Sequence, residues 1–157
     1  PIKNKIRNWR YNIKVQGWRY HMSDIMAAIG IVQLKRLKIL RKIRQNLAKN
    51  YDKIILNNIN ISSFVRDYSK TNPHIYLIKI KKKTNITNFR KFLLKNNIET
   101  GLHYQPNHLL KKYKVNYRLP KTESITKKIL SIPLHPELSF KNQLYIIRKI
   151  NEYFDNK

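Results

Sequence analysis

The stretch Gly17–Gly30, GWRYHMSDIMAAIG, organises the chain, because it leads from a glycine into the start of a helix. Ser23 and Asp24 suit a helix N-terminus, where side-chain oxygens accept hydrogen bonds from unpaired backbone N–H groups. Apolar residues then recur at spacings of three and four. This period predicts one helix from Ser23 to about Ile55.

Side chains that can donate hydrogen bonds to an anion stand directly before this helix, namely Arg19, Tyr20 and His21. A helix N-terminus favours negative charge through its N–H groups and its dipole. The stretch therefore suits an anion site, and it also suits an ordinary capped helix with a basic lead-in.

Composition limits the classes of protein that the chain can represent. Its 157 residues, 41% of them hydrophobic, suffice for one globular domain with a core. The sequence has no apolar run long enough to span a bilayer, and residues 1–22 lack the apolar middle region of a signal peptide. Cysteine is absent, which excludes disulfides and thiolate metal sites. We expect a cytoplasmic protein without a membrane partner.

The formal net charge of +26 would suit a nucleic-acid-binding module. However, the lysines are spread along the chain, and abundant Lys, Ile and Asn together are typical of an AT-rich coding sequence. Specific nucleic-acid binding is therefore kept as an alternative function, beside that of a non-catalytic docking partner.

The predicted first helix is unusually long. About 33 residues would span roughly 50 Å, which exceeds the width of a small domain. We therefore expect a kink, or a helix that leaves the domain to contact a partner. Further along, residues 74–82 alternate as a strand, with Tyr76, Ile78 and Ile80 on one face.

The remaining elements are short and lie close together. The patterns predict a short strand at 59–64, a helix from Thr87 or Asn88 to 96–97, a strand at 98–104, a helical turn at 108–113, a helix at 123–130 capped by Thr122, an extended segment at 132–136, and a last helix capped by Ser139. The fold class is α+β, with helices covering an antiparallel or mixed sheet of two to four strands.

His103–His108, HYQPNH, is the densest group of proton-handling side chains. It could supply a general acid/base pair or part of a metal site, or it could be a polar loop whose histidines bond to backbone carbonyls. The spacing of the two histidines does not suit a helical metal pair, so no metal site is predicted. His135, between two prolines, is interpreted as structural. No complete active site is visible, and no catalytic residue is assigned.

The opening stretch, continued by Gln33 and Leu34, resembles a segment of the DegT/DnrJ/EryC1/StrS family of pyridoxal-phosphate-dependent sugar aminotransferases. The resemblance extends in order through Asn97–His108 and Ile129–Leu138, where the segments HYQP and LSIPLHP occur. It covers nearly the whole chain.

The resemblance implies the small C-terminal domain of a fold-type I pyridoxal phosphate (PLP) enzyme. Residues 1–56 would form a bridging segment with the long helix, and residues 57–157 the small α+β domain. The PLP-binding large domain and its Schiff-base lysine would lie upstream of residue 1. No lysine of this chain is therefore assigned to the cofactor.

The resemblance also implies site residues. Arg19, Tyr20 and His21 would contact the cofactor phosphate of the partner subunit in a homodimer. Family members usually have Asn at the position of Arg19 or of His21, so either side chain could make the contact. The residues expected near the sugar-nucleotide pocket are His103, Tyr104 and His108.

The implied reaction moves an amino group from an amino acid, expected to be glutamate, to a keto-sugar nucleotide. The products would serve polysaccharide or glycan synthesis. The isolated chain is expected to be inactive, because it lacks the lysine that binds the cofactor.

Overall fold

The structure is a computed structural model that describes residues 15–18 and 20–156. The chain divides into two units, with the boundary between Lys35 and Arg36. The first helix, α1 (Asp24–Ile55), contributes residues to both units. Within the described ranges, no helix is both long and apolar enough to cross a membrane.

In the first unit, α1 begins where the sequence predicts. The Ser23 hydroxyl oxygen accepts a hydrogen bond from the Met26 N–H at 3.3 Å. The helix is continuous over its 32 residues. Large apolar side chains near its start are more than half exposed, namely Ile25, Met26, Ile29, Ile31, Val32 and Leu34. The predicted contact of this helix with a partner stays a prediction.

In the second unit, the last turns of α1 enter the core. Leu47, Ala48, Tyr51 and Ile55 are buried, at the spacing of one helical face. The buried Gln143 amide donates a hydrogen bond to the Leu47 carbonyl oxygen at 2.8 Å. The domain boundary predicted after residue 56 stays a prediction, although the end of α1 packs with the residues that follow it.

A three-stranded antiparallel sheet forms the centre of the second unit, in the order β1-β2-β3. The strands are β1 (Ile61–Ser62), β2 (Tyr76–Ile80) and β3 (Ile129–Ile132). Tyr76 lies opposite Ile132. The predicted apolar face of β2 is confirmed, since Tyr76, Ile78 and Ile80 are all buried.

Three helices follow α1: α2 (Ile86–Lys95), α3 (Pro120–Thr126) and α4 (Phe140–Asp155). Ser139 caps α4 as predicted, accepting a hydrogen bond from the Asn142 N–H. The cap of α2 is Asn85 rather than Thr87 or Asn88. Its side-chain oxygen accepts the Asn88 N–H, so the helix begins earlier than the sequence predicted.

Two predicted elements differ in the structure. Residues 98–104 form no strand, and only Gly101 pairs with β3 through an isolated bridge to Ser131. The helix predicted at 123–130 begins at Pro120 and ends at Thr126, and Ile129 already belongs to β3. Proline suits the first turn of a helix because an N–H at that position would have no hydrogen-bond partner.

The predicted turn at 108–113 is confirmed as two short 3-10 helices, at 107–109 and 111–113.

A polar cluster ties α1 to the sheet. The Asp52 carboxylate accepts hydrogen bonds from the hydroxyls of Tyr68 and Tyr76, both at 2.5 Å. The Arg66 guanidinium lies 4.8 Å from the Tyr76 ring centroid. Burial, and then the hydrogen bond to Asp52, raise the pKa of Tyr76 far above its ordinary value. Burial, and then the hydrogen bond to Asp52, also raise the pKa of Tyr68, so both hydroxyls remain neutral donors over the ordinary pH range.

Candidate functional site

His103 is held by its contact with β3. Its Nδ1 atom lies 2.7 Å from the Ser131 hydroxyl oxygen. The backbones of Gly101 and Ser131 exchange two hydrogen bonds, of 3.0 and 2.8 Å. A Cβ atom on Gly101 would clash with the imidazole of His103. The absence of a side chain at Gly101 is therefore what allows the ring to approach Ser131.

The His103 imidazole lines an open cavity of about 590 Å³. Its polar lining is His74, Asn97, Glu99, Thr100, His103, Ser131 and His135. His74 precedes β2 and His135 follows β3, so the antiparallel pairing of these strands brings the two residues to one end of the sheet. The cavity, named here the histidine cavity, can hydrogen-bond a polar ligand through neutral or protonated imidazoles.

Sequence reasoning missed two members of the histidine cavity. His74 was not singled out, and His135 was interpreted as structural. The pairing of β2 with β3 is what would have identified them. Residues just before one antiparallel strand, such as His74 before β2, lie beside residues just after the neighbouring strand, such as His135 after β3. That pairing joins segments far apart in the sequence, and no local pattern records it.

Hydrogen bonds from two helices hold Pro133 and Thr100, which both line the histidine cavity. The Tyr51 hydroxyl donates a hydrogen bond to the Pro133 carbonyl oxygen at 3.0 Å. Arg90 on α2 donates to the Thr100 carbonyl and hydroxyl oxygens, at 3.1 and 3.3 Å. Two helices thus position the loop segments that line the cavity.

The other predicted pocket residues separate into two places. The Tyr104 side chain is 68% exposed, and its ring stands edge-on to the His103 ring with centroids 4.8 Å apart. His108 is buried and is not among the residues that line the histidine cavity. The structure therefore brings His103 and Tyr104 together and gives His108 different surroundings.

His108 contacts α3 instead. Its Nε2 atom lies 3.3 Å from the Glu123 carboxylate. That carboxylate also accepts hydrogen bonds from the Leu119 N–H at 3.0 Å and from Arg118 at 3.3 Å. The Leu119 hydrogen bond first, and then the one with His108, lower the pKa of Glu123. This group anchors the start of α3 to the loop that follows the histidine cavity.

The predicted phosphate contacts lie at the start of α1. Tyr20 is exposed, and His21 lines a shallow cavity of about 550 Å³ together with Met22, Ser23 and Asp24. Arg19 lies outside the described residues. The His21 imidazole and the helix N-terminus are donors that fit a phosphate group at this cavity, whereas the Tyr20 phenol does not line it. The Asp24 carboxylate in the lining restricts where a phosphate can sit.

The described side chains also limit which cofactors the chain could hold by itself. Among the described residues, no group of three or more His, Cys, Asp or Glu side chains is placed to hold a metal ion. Of the described residues before α1 (15–18 and 20–23), Tyr20 and His21 suit a phosphate group, and none carries a side-chain amine.

Comparison with known proteins gives one consistent result. A model of the DegT/DnrJ/EryC1/StrS aminotransferase family matches residues 2–151. The UDP-4-amino-4,6-dideoxy-N-acetyl-beta-L-altrosamine transaminase of Campylobacter jejuni is 30% identical over 148 residues, which cover 90% of this chain and 39% of that protein. The chain spans about 40% of the length of the curated relatives it matches.

Solved structures agree with this match. PseC of Helicobacter pylori, an aminotransferase involved in the biosynthesis of pseudoaminic acid, superposes with a TM-score of 0.85 at 24% identity, covering 98% of this chain and 43% of that chain. The PLP form of Spr1654 from Streptococcus pneumoniae also gives 0.85, at 25% identity over 95% of this chain and 40% of that chain.

Proposed function

Since the chain belongs to the DegT/DnrJ/EryC1/StrS aminotransferase family, we propose that it is the C-terminal portion of a sugar aminotransferase. The family depends on PLP. The observation that carries the proposal is the match over residues 2–151, because it includes both the helix start with its anion-donor side chains and the histidine cavity. In this proposal residues 1–56 are the bridging segment with the long helix, residues 57–157 are the small domain of a fold-type I enzyme, and the large domain belongs to the longer protein.

The proposed reaction transfers an amino group from glutamate to a keto-sugar nucleotide for polysaccharide or glycan synthesis. The cofactor, when bound, supplies the amino-transfer chemistry. The chain's own contribution is binding and orientation. Tyr20 and His21, with Arg19, donate hydrogen bonds to the cofactor phosphate of the partner subunit in a homodimer, which we place in the cytoplasm.

His103 and Tyr104 contact the sugar nucleotide in this proposal. The Nδ1 atom of His103 is engaged by Ser131, which fixes the ring and leaves Nε2 as the nitrogen that can bond to a sugar hydroxyl or a phosphate oxygen. The exposed phenol of Tyr104 adds a second donor beside it. The contact of His108 with the substrate stays a prediction, and its bond to Glu123 supports a role in holding the loop.

Two experiments test this proposal. We expect the 157-residue chain with PLP and borohydride to give no stoichiometric adduct at a single lysine. A unique trapped lysine would contradict the assignment of the cofactor to another domain. We also expect the DNA upstream of the Pro1 codon to encode a large domain with the cofactor lysine in frame.

If that domain is present, the longer protein is assayed with glutamate and a panel of nucleotide-linked keto sugars. His103→Ala is expected to raise KM for the sugar nucleotide by about tenfold, the effect of one lost hydrogen bond of roughly 1.4 kcal/mol. His21→Ala is expected to weaken PLP retention instead. Failure of the intact longer protein to aminate any keto sugar in the panel would contradict the proposed reaction.

A further inference from the structure

Five lysines surround one cavity at the end of the sheet where β2 ends and β3 begins. The cavity has a volume of about 400 Å³. Its lysines are Lys81, Lys82, Lys83, Lys127 and Lys128. The Ile80 N–H donates a hydrogen bond to the Lys128 carbonyl oxygen at 2.7 Å, which joins the two lysine runs. Antiparallel pairing thus concentrates charges that the sequence places far apart.

The lining of this cavity, named here the lysine cavity, contains no carboxylate. Lys83, Lys127 and Lys128 form no ion pair with the described residues. The Lys81 ammonium donates to the Asn58 carbonyl oxygen at 2.7 Å, and the Lys82 ammonium lies 5.9 Å from the Phe154 ring centroid. These partners are uncharged, so they orient the two side chains without neutralising them. Neighbouring ammonium groups repel one another, and an anion with several charges relieves that repulsion.

We propose that the lysine cavity binds the diphosphate group of a small ligand. Its volume lies within the range of small-molecule sites, roughly 300–1,000 Å³. Ammonium groups bind phosphate oxygens as compact point charges. The inference goes beyond the proposed function, which assigns no role to these lysines.

The location separates the lysine cavity from the histidine cavity. The histidine cavity includes Ile75, just before β2, whereas the lysine cavity includes Ile80 at the end of that strand. Five residues of extended chain span roughly 17 Å. A ligand in the lysine cavity therefore has its own binding equilibrium, measurable on the 157-residue chain without any amino-transfer assay.

The test is calorimetric titration of the 157-residue chain with inorganic pyrophosphate at physiological salt. Lys127→Gln/Lys128→Gln is compared with Lys111→Gln/Lys112→Gln, which removes the same net charge from an exposed 3-10 turn outside the cavity lining. We expect the first pair to weaken pyrophosphate binding by about tenfold or more, and the second by less than about twofold. Circular dichroism verifies that both variants remain folded.

Three further ligands identify what the cavity recognises. Orthophosphate is expected to bind at least about tenfold more weakly than pyrophosphate, because it presents fewer charges to the lysines. Equal weakening by both lysine pairs would show that only the overall charge matters and would overturn the proposal. A third outcome would reassign the surface to nucleic acid. In that outcome the unmodified chain binds a uridine oligonucleotide tightly and does not bind pyrophosphate, and the Lys127/Lys128 variant loses the oligonucleotide binding. A nucleoside diphosphate that binds more tightly than pyrophosphate would support a nucleotide as the ligand.

Discussion

The Tyr51 hydroxyl donates a hydrogen bond to the Pro133 carbonyl oxygen at 3.0 Å and so fastens α1 to the segment that lines the histidine cavity. The Tyr51 side chain is fully buried, and burial raises the pKa of its phenol far above the ordinary value. The phenol therefore stays protonated and donates this bond over the ordinary pH range.

Tyr51→Phe is expected to lower the free energy of unfolding by about 1–2 kcal/mol, because it leaves the Pro133 carbonyl without this donor. Chemical denaturation measures the change. The matched control is Tyr113→Phe, since Tyr113 is 60% exposed, and its effect should be within about 0.5 kcal/mol. Equal effects of the two substitutions would show that the Tyr51–Pro133 bond does not contribute to stability.

Asp52→Asn is expected to destabilise the chain by about 1–3 kcal/mol at pH 7. The carboxylate accepts from two tyrosine hydroxyls, and an amide retains the shape while losing the charge that strengthens both bonds. Asp155→Asn removes the same charge from an exposed position and serves as the control. Urea unfolding curves that coincide for the two variants would contradict the role assigned to the cluster.

Gly101→Ala and Gly30→Ala are expected to change the stability of the chain in opposite directions: Gly101→Ala lowers it and Gly30→Ala raises it. A methyl group at Gly101 would clash with the His103 ring, so His103 must leave Ser131 and the chain loses stability. A methyl group at Gly30 meets open space inside α1, where alanine is favoured over glycine by about 0.5–1 kcal/mol. Thermal unfolding measures both effects, and the NMR shifts of the His103 ring should change only in Gly101→Ala. Unchanged His103 shifts in that variant would contradict the proposed clash.

The Glu123 carboxyl is expected to titrate below its ordinary value of about 4.3. Because its pKa is lowered in the folded chain, its contribution to stability is complete above the unfolded-state pKa. That contribution is lost as the pH falls through the folded-state value. NMR titration of the carboxyl carbons measures the midpoint, and the stability of Glu123→Gln should depend less on pH below about 4.3. A midpoint at or above the ordinary value would contradict the Leu119 and His108 hydrogen bonds.

Local sequence patterns predicted those elements whose signals are local. Ser23 and Ser139 mark helix starts through their own side chains, and Tyr76, Ile78 and Ile80 alternate because one face of β2 is buried. Ile129 and Leu130 fall in the helix predicted at 123–130, because a short apolar run suits a buried helix as well as a buried strand. Only pairing with β2 decides between them.

The residues of the candidate functional site were likewise predictable only where they are neighbours in the sequence. His103 and Tyr104 are neighbours in the sequence and in the structure, so their association was predictable. His74 and His135 reach the histidine cavity through the pairing of β2 with β3, which no local pattern reveals. The lysine cavity arises from the same pairing at the other end of the strands.

The Gln143–Leu47 hydrogen bond has a consequence for the order of folding during synthesis. The buried face at the end of α1 is synthesised well before its hydrogen-bond partners, which are Pro133, directly after β3, and Gln143 on α4. Until then the nascent chain displays Tyr51 and Ile55 to its surroundings without the residues that later cover them. The second unit can close only after α4 has left the exit tunnel. A stalled or prematurely terminated chain that lacks α4 would therefore be a ready target for chaperones and proteases rather than a smaller stable domain.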